Sequence, residues 1–181
     1  MSTGRAAATS QAGSRRTSLD DSDPTREAPA SEMSPRQFWI GVVSREHVQI
    51  GVAGGFIQLN HGKKAPLQGL RGGDGLVMYS PRTSYPDGQP LQHFTAIGVV
   101  ATGEVYQVTM AEDFEPYRVD VVFAHATETP VKPLVESLAF IRNKTHWGAA
   151  FRFGYVKVPA ADFHLIAAAM GVASEFPSDG P

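Results

Sequence analysis

The sequence contains no cysteine among its 181 residues. Disulfide bonds, thiolate nucleophiles and cysteine-ligated zinc or iron–sulfur centres are therefore excluded. Long hydrophobic runs are also missing, since the longest, Leu165–Ala173, is about half of the roughly 18 residues that a membrane-spanning helix needs. No apolar segment follows the basic residues near the N-terminus, so a secretory signal is not expected. These absences predict a soluble, cytoplasmic protein with no membrane partner.

A large excess of charge of one sign is absent as well, because the formal net charge is −2. This balance excludes a protein that coats nucleic acid through overall positive charge. The charge is unevenly distributed, however. Segments 61–82 and 142–157 are rich in lysine and arginine and contain one acid, Asp74, whereas 104–136 is rich in acids. If the two basic segments meet in the fold, they form a face that suits phosphates; the alternative is scattered solubilising charge.

The N-terminal stretch 1–36 contains one leucine, Leu19, and one internal methionine, Met33. Such a segment buries too little apolar surface to offset the entropy lost on ordering, so we expect a disordered arm. The rest of the chain predicts one folded domain over 37–173 and a C-terminal tail at 174–181.

Glycine and proline, with 18 and 13 residues, argue against a helical bundle and favour short strands joined by turns. The segment Tyr85–Gln89 contains Pro86 and Asp87-Gly88 and predicts a hairpin-like link between the second and third strands. Six strands in a domain of this size predict an α+β fold whose strands curl into a small barrel. The predicted strands are 38–43, 75–79, 94–101, 104–108, 118–123 and 151–158.

Three flanking helices are expected from apolar residues at helical spacing. The first begins after Ser44, turns Val48 and Val52 inward and ends at Gly54-Gly55. The other two are predicted from Pro133 through Leu134, Leu138 and Ile141, and from Pro159 through Phe163, Ile166, Ala167 and Met170 to Gly171.

Sequence motifs for catalysis or metal binding are absent. The run Gly62-Lys63-Lys64 does not form a phosphate-binding loop, because Ile57 stands in place of its first glycine and Lys64 in place of its Ser or Thr. The six histidines are too dispersed to predict a metal site, and no paired carboxylates suggest acid–base chemistry. We therefore expect no metal, no cofactor and no enzymatic activity.

A series of short blocks follows in order from about residue 38 to 165. The blocks are Phe38–Val48, Gly54–Gln58, His61–Lys63, Pro66-Leu67, Gly73-Asp74, Tyr79–Pro81, Phe94–Gly98 and Asn143–Gly148. Together they closely resemble the EVE domain family, which belongs to the PUA-like superfamily and is related to YTH and ASCH domains. The resemblance implies a small curled β-barrel with flanking helices and a cleft that holds a flipped nucleobase, often a modified one.

A pocket for a flipped base needs aromatic or apolar groups for the ring faces, donors and acceptors for the base edge, and cations for the phosphates. The matched blocks and the basic segments contain all three types. The predicted cleft residues are Trp39, Ser44, His47, Phe56, Gln58, Tyr79, Ser80 and Trp147; the predicted phosphate contacts are His61, Lys63, Lys64, Arg82, Arg142 and Lys144.

Structural alternatives stand beside these assignments. Phe56 and Trp147 either sandwich the base or belong to the core, and Ser44 either lines the cleft or caps the following helix. Gln58 and Ser80 either read the base edge or satisfy the local backbone.

The predicted function is a non-catalytic, monomeric module that binds DNA or RNA and recognises a flipped methylated or hydroxymethylated base, such as 5-methylcytosine. One alternative is a module that binds a small molecule, a nucleotide or a protein in the same cleft. The other is a nucleic-acid-modifying enzyme that uses His61, Lys63 and Ser80.

Overall fold

The computed structural model describes residues 35–177. The predicted disordered arm, apart from its last two residues, lies outside this range, and so do the last four residues of the predicted tail. Within the described range, the chain forms eight strands, two α-helices and several short 3₁₀ turns. The strands are β1 (Phe38–Val42), β2 (Phe56–Ile57), β3 (Gly75–Arg82), β4 (Pro90–Val100), β5 (Tyr106–Gln107), β6 (Tyr117–Phe123), β7 (Thr129–Pro130) and β8 (Tyr155–Val158); the helices are α1 (Arg45–Gly54) and α2 (Ala160–Ala169).

The strands form one mixed, curled sheet in the order β2-β6-β4-β3-β1-β8, with β5 beside β6 and β7 beside β4. Only β1 and β3 run parallel among the pairs in the described residues; the other pairs are antiparallel. The sheet is a half-barrel, since within residues 35–177 the end strands β2 and β8 do not pair with each other. The predicted α+β class is confirmed.

The sheet separates two hydrophobic cores. Because successive side chains of a strand point to opposite faces, Val77 and Tyr79 enter the core beneath α2, whereas Leu76 and Met78 enter the core beneath α1. In the first core, the ring of Phe163 lies 4.6 Å from that of Phe38. Both faces of β3 are therefore buried, which agrees with its nearly continuous apolar sequence.

Most of the predicted elements are present. Strands β1, β3, β4 and β6, helices α1 and α2, and the link between β3 and β4 lie where the sequence places them. Gly171 follows α2 with a left-handed φ of 81°, as expected for a terminating glycine. None of the helices in the described range is long and apolar enough to cross a membrane.

The helix predicted from Pro133 is wrong. In an α-helix, the N–H of Ala139 would donate to the carbonyl of Val135. Instead, the buried carboxylate of Asp162 accepts the N–H groups of Ala139 and Phe140, at 3.0 and 2.8 Å. The ammonium of Lys144 donates to the carbonyl oxygens of Val135 and Leu138, at 2.7 and 2.8 Å. The side chains of Asp162 and Lys144 thus bond backbone groups that a helix would pair with one another.

Smaller predictions also need correction. The strand predicted over 151–158 begins only at Tyr155, because Trp147–Phe151 form a 3₁₀ turn. Of the strand predicted over 104–108, only β5 is formed, and β2 and β7 were not predicted. Val52 of α1 faces solvent and was wrongly placed in the core, whereas Val48 is buried as expected.

Candidate functional site

A cavity of about 770 Å³ opens where β1 and β3 end. Because these two strands are parallel, their carboxyl ends reach the same edge of the sheet. β8 runs antiparallel to β1, so the residues just before β8 reach this edge too. We call this the edge cavity. It is lined by Val42, Val43, Ser44, His47, Gln58, Asn60, His61, Lys63, Pro81, Arg82, Ser84, Tyr85, Phe114, Phe151, Arg152, Phe153 and Gly154.

The lining divides into two parts by exposure. We call the buried and half-buried residues the floor, and the exposed residues the rim. The floor is Val42, Val43, Ser44, His47, Gln58, Asn60, Pro81, Ser84, Phe151 and Gly154; the rim is His61, Lys63, Arg82, Tyr85, Phe114, Arg152 and Phe153.

Ser44 lies between β1 and α1, at the N-cap position of the helix. Its backbone is extended, as an N-cap requires, but its side chain makes no capping hydrogen bond. The residue lines the edge cavity. The alternative in which the Ser44 hydroxyl caps α1 is therefore not observed.

Gln58 is the most buried polar residue of the floor, with 5% of its surface exposed. Its Oε1 accepts a hydrogen bond of 3.4 Å from Nε of Arg118. The Arg118 guanidinium in turn lies 3.8 Å from the centre of the Phe56 ring. Since the carbonyl oxygen of Gln58 is engaged, its amide NH₂ is the group left to donate to a ligand.

His47 projects from α1 into the floor. Burial lowers the pKa of its imidazole below 6.5, and the positive charges of Arg118 and His61 lower it further, against the opposing effect of Glu46. At pH 7 the imidazole is therefore neutral, with one nitrogen that donates and one that accepts.

The backbone is left-handed at three consecutive residues beside the cavity: Asn60, His61 and Gly62 have φ values of 46°, 58° and 78°. Such conformations in residues other than glycine are uncommon and are concentrated at binding sites. They place the His61 ring 5.8 Å from the Tyr85 ring, edge to face. They also bring Oδ1 of Asn60 so close to Gly154 that a Cβ atom there would overlap it.

The rim combines exposed aromatic rings with positive charges. Tyr85 and Phe153 are 75% and 67% exposed, and the Arg152 guanidinium lies 4.5 Å from the Phe153 ring centre. Lys63 and Arg82 come from the first basic segment and Arg152 from the second, so the two segments meet here. None of the residues that line the edge cavity, all of them in the described part of the chain, is Asp or Glu.

The structure therefore gathers part of the predicted site and separates the rest. Predicted residues that line the edge cavity are Ser44, His47, Gln58, His61, Lys63 and Arg82.

Three predicted cleft residues lie outside the edge cavity: Tyr79 and Ser80 are buried, and Trp39 is half-buried against the core beneath α1. The indole N–H of Trp39 donates to a carboxylate oxygen of Asp74 at 3.3 Å. Trp39 is the second residue of β1, whereas the edge cavity lies at the other end of this strand. Tyr79 is buried against Phe151, with ring centres 4.0 Å apart, and burial raises the pKa of its hydroxyl to about 12. Ser80 is fully buried, and its hydroxyl lies 2.8 Å from that of Thr95. Tyr79 lies directly behind the floor, since Phe151 belongs to it.

The predicted sandwich of Phe56 and Trp147 does not form. Phe56 contacts Arg118 beneath the floor, whereas Trp147 lines a second cavity together with Arg142. A ring beneath the floor of one cavity and a ring in the lining of another cannot hold the two faces of one base.

Among the predicted phosphate contacts, Lys144 and Lys64 also lie elsewhere. The ammonium of Lys144 is used to hold two backbone carbonyls. Lys64 lies 5.4 Å from the ring centre of Tyr117, outside the edge cavity.

Sequence reasoning missed several residues of the cavity. The floor residues Asn60 and Ser84 and the rim aromatics Tyr85, Phe114 and Phe153 were not proposed. A usable signal was present at Phe151-Arg152-Phe153, where a cation is flanked by two aromatic residues. Aromatic side chains beside arginine are typical of surfaces that stack bases.

A metal centre has no support in the region the structure describes. Across residues 35–177, no three His, Asp or Glu side chains lie close enough together to hold a metal ion.

Comparison with known proteins agrees with the block pattern. The family model described as EVE domain matches residues 37–169. A UPF0310 protein of Mycolicibacterium vanbaalenii is 52% identical over 132 residues, which cover 73% of this chain and 91% of that protein. A UPF0310 protein of Bacillus subtilis is 47% identical over 135 residues, covering 75% and 92%. The crystal structure of protein Atu2648 from Agrobacterium tumefaciens is 14% identical, covers 80% of this chain and 99% of its own, and has a TM-score of 0.49. With its family model matched over most of its length and relatives at about half identity, the chain belongs to the EVE domain family.

Proposed function

We propose that this chain is a non-catalytic module that binds nucleic acid and takes up one flipped, modified base in the edge cavity. The observation that carries the proposal is the lining of this cavity: a partly apolar floor, a rim with Lys63, Arg82 and Arg152, and no acid among the lining residues.

The size of the cavity suits a nucleotide. Small-molecule sites in proteins have volumes of roughly 300–1,000 Å³, and the edge cavity has about 770 Å³. Valines 42 and 43 and Phe151 offer apolar surface for the faces of a ring. The Gln58 amide, the Ser44 hydroxyl and the neutral His47 offer donors and an acceptor for its polar edge.

The rim suits the sugar–phosphate chain on either side of the flipped nucleotide. Cations that surround an opening attract phosphates without reading sequence. The exposed rings of Tyr85 and Phe153 add faces on which a base can stack, each worth roughly 1–3 kcal/mol. An added methyl group on the base gains about 0.8 kcal/mol when it is buried against apolar floor residues.

Binding without catalysis is supported by the floor as well. The neutral His47 is the titratable group of the floor, and no carboxylate joins it in the lining. General acid–base catalysis commonly pairs such groups.

The test is fluorescence-anisotropy binding to labelled DNA and RNA oligonucleotides that differ in one methylated or hydroxymethylated base, at two salt concentrations. We expect tighter binding to one modified oligonucleotide than to its unmodified counterpart. Ser44→Ala should weaken this binding without lowering the unfolding temperature, since Ser44 makes no capping bond. Arg71→Gln, an exposed residue outside the edge cavity, is the matched control and should bind as the wild type does.

Equal affinity for modified and unmodified strands would contradict the recognition of a modified base. A thermal-shift response to free nucleotides together with no binding of any oligonucleotide would contradict the whole proposal and favour a small-molecule site.

A further inference from the structure

A second cavity of about 380 Å³ adjoins the edge cavity. We call it the side groove. Both Arg152 and Phe153 line the two cavities, so these two residues form the wall between them. The side groove is lined by Phe140, Ile141, Arg142, Asn143, His146, Trp147, Ala149, Ala150, Arg152, Phe153 and Val156.

The side groove repeats the chemistry of the edge cavity. Trp147 and Phe140 supply aromatic surface, and Arg142 and Arg152 supply positive charge. Within the described residues, no Asp or Glu lines the side groove. Its volume lies near the lower end of the range for small-molecule sites, which suits a single base.

The shared wall is exposed and consists of two stacked groups. Phe153 is 67% exposed, and the Arg152 guanidinium is stacked over its ring at 4.5 Å. A base on each side of this wall would be separated from its neighbour by both an aromatic ring and a guanidinium. Apolar side chains inserted between successive bases are a known means of unstacking them.

We propose that the side groove receives the base adjacent to the flipped one, with Phe153 inserted between the two, and that the ligand is therefore single-stranded. This inference rests on the proposed function of the edge cavity. It adds a second subsite for a base and predicts that the bound nucleic acid is single-stranded.

The preference for a single strand follows from the cost of placing both bases. In a duplex, successive bases are paired and stacked about 3.4 Å apart along the strand. Taking one base out costs a few kcal/mol, and the cost is least when the base is already unpaired. Occupying both cavities doubles this cost in a duplex, whereas unpaired bases are readily splayed out onto aromatic and arginine side chains.

The charge of the side groove favours a nucleotide over a peptide as its occupant. Arg142 is exposed and lines the same groove as Trp147. A cation beside a stacking ring is the arrangement that binds a base together with its phosphate.

The experiment measures the affinity of the full chain for four ligands that contain the preferred modified nucleotide. These are the free mononucleotide, a trinucleotide, the same trinucleotide with abasic neighbours, and a duplex with the same central sequence. The abasic trinucleotide keeps the phosphates and removes the neighbouring bases, so it separates stacking from charge.

For the wild type, we expect the trinucleotide to bind at least fivefold more tightly than its abasic form, and about tenfold more tightly than the duplex. In Trp147→Ala, the affinity for the trinucleotide should fall toward that for the abasic form, with Tyr85 and Phe153 as the remaining stacking faces, while the affinity for the mononucleotide is unchanged. Since Trp147 is half-buried, the unfolding temperature of the Trp147→Ala variant must be compared with that of the wild type. Arg142→Gln changes an exposed side chain and should reduce trinucleotide affinity severalfold, with Arg71→Gln as control.

Equal affinity for the intact and abasic trinucleotides, or equal affinity for single strand and duplex, would overturn the inference and leave the proposed function in place. Binding of a peptide or a second copy at Trp147, with no effect of Trp147→Ala on the trinucleotide, would also overturn it. If neither the mononucleotide nor any oligonucleotide binds, both proposals fail.

Discussion

The floor and the rim of the edge cavity are built in different ways. Floor residues lie near strand ends or in the first turn of α1, and other residues of the protein hold them, as Arg118 holds Gln58 and as packing on Gly154 holds Asn60. Rim residues such as Lys63, Tyr85 and Phe153 are exposed on connecting segments. Groups fixed in direction can select a base, whereas exposed cations attract any phosphate. Under the proposed function, the floor should therefore determine which base binds, and the rim how strongly nucleic acid binds in general.

The largest effect is expected from a change that breaks the floor itself. Gly154→Ala introduces a Cβ atom that overlaps Oδ1 of Asn60, at a residue with a φ of 82°. Left-handed strain and overpacking together should lower the free energy of unfolding by about 2–4 kcal/mol. Urea denaturation measures this loss.

A double variant distinguishes overlap from backbone strain. Asn60→Gly removes Oδ1 and tolerates the left-handed backbone at residue 60, so the added cost of Gly154→Ala should fall to that of the positive φ alone. If Gly154→Ala lowers the free energy of unfolding equally with and without the Asn60 side chain, Asn60 is not packed tightly on Gly154. The floor would then be less firmly fixed than its contrast with the exposed rim requires.

The second effect concerns base identity. Gln58→Met keeps the length of the side chain but removes the carbonyl oxygen and the NH₂ of its amide. The preference for the best base over the other three should fall about tenfold, because a well-placed polar contact to a base edge contributes roughly 1–3 kcal/mol to discrimination. Affinity for the other bases should change little, which anisotropy titrations with four matched oligonucleotides can check.

Gln68→Met is the matched control, since Gln68 is exposed and lines neither the edge cavity nor the side groove. If Gln58→Met weakens binding to all four bases equally, Gln58 supports the cavity without reading the base.

The same contrast explains what the sequence could predict. The family resemblance was sufficient to bring Ser44, His47 and Gln58 to the lining of the edge cavity, because they lie directly beyond β1, in α1 or next to β2. It was not sufficient for Trp39 and Trp147. Which face of β1 carries Trp39, and which side of the Phe153 wall carries Trp147, depend on tertiary packing and not on spacing along the chain.

The fold shows a similar limit. An apolar stripe at helical spacing correctly identified the buried Leu138 and Ile141, but the segment is not helical. Its backbone groups are bonded by Asp162 and Lys144. Asp162 lies more than 20 residues away in sequence, and such a long-range competitor is invisible to a periodicity argument.

The third effect tests the rim with two adjacent lysines. Lys63 lines the edge cavity, whereas Lys64 lies over Tyr117. Lys63→Gln should weaken binding severalfold and to a similar extent for every sequence. It should also reduce the slope of log affinity against log salt by about 0.7–0.9, the value for one lost phosphate contact.

Lys64→Gln removes the same charge one residue away and should leave both quantities near those of the wild type. If both variants reduce the salt slope equally, the rim acts through general charge and not through a defined contact.

The smallest expected effect is a pH dependence of the free energy of unfolding caused by His47. It tests how far water is excluded from the floor when no ligand is bound. Burial and Arg118 lower the pKa of this imidazole below the 6.5 of the unfolded chain. As pH falls below 6.5, the unfolded chain therefore binds the proton first, and the free energy of unfolding decreases until the folded imidazole is protonated as well. His47→Gln should flatten this part of the curve in urea denaturation between pH 5 and 8. An NMR titration that places the His47 pKa above 6.5 would reverse the sign, and would mean that the floor is open to water or faces an uncounted negative charge.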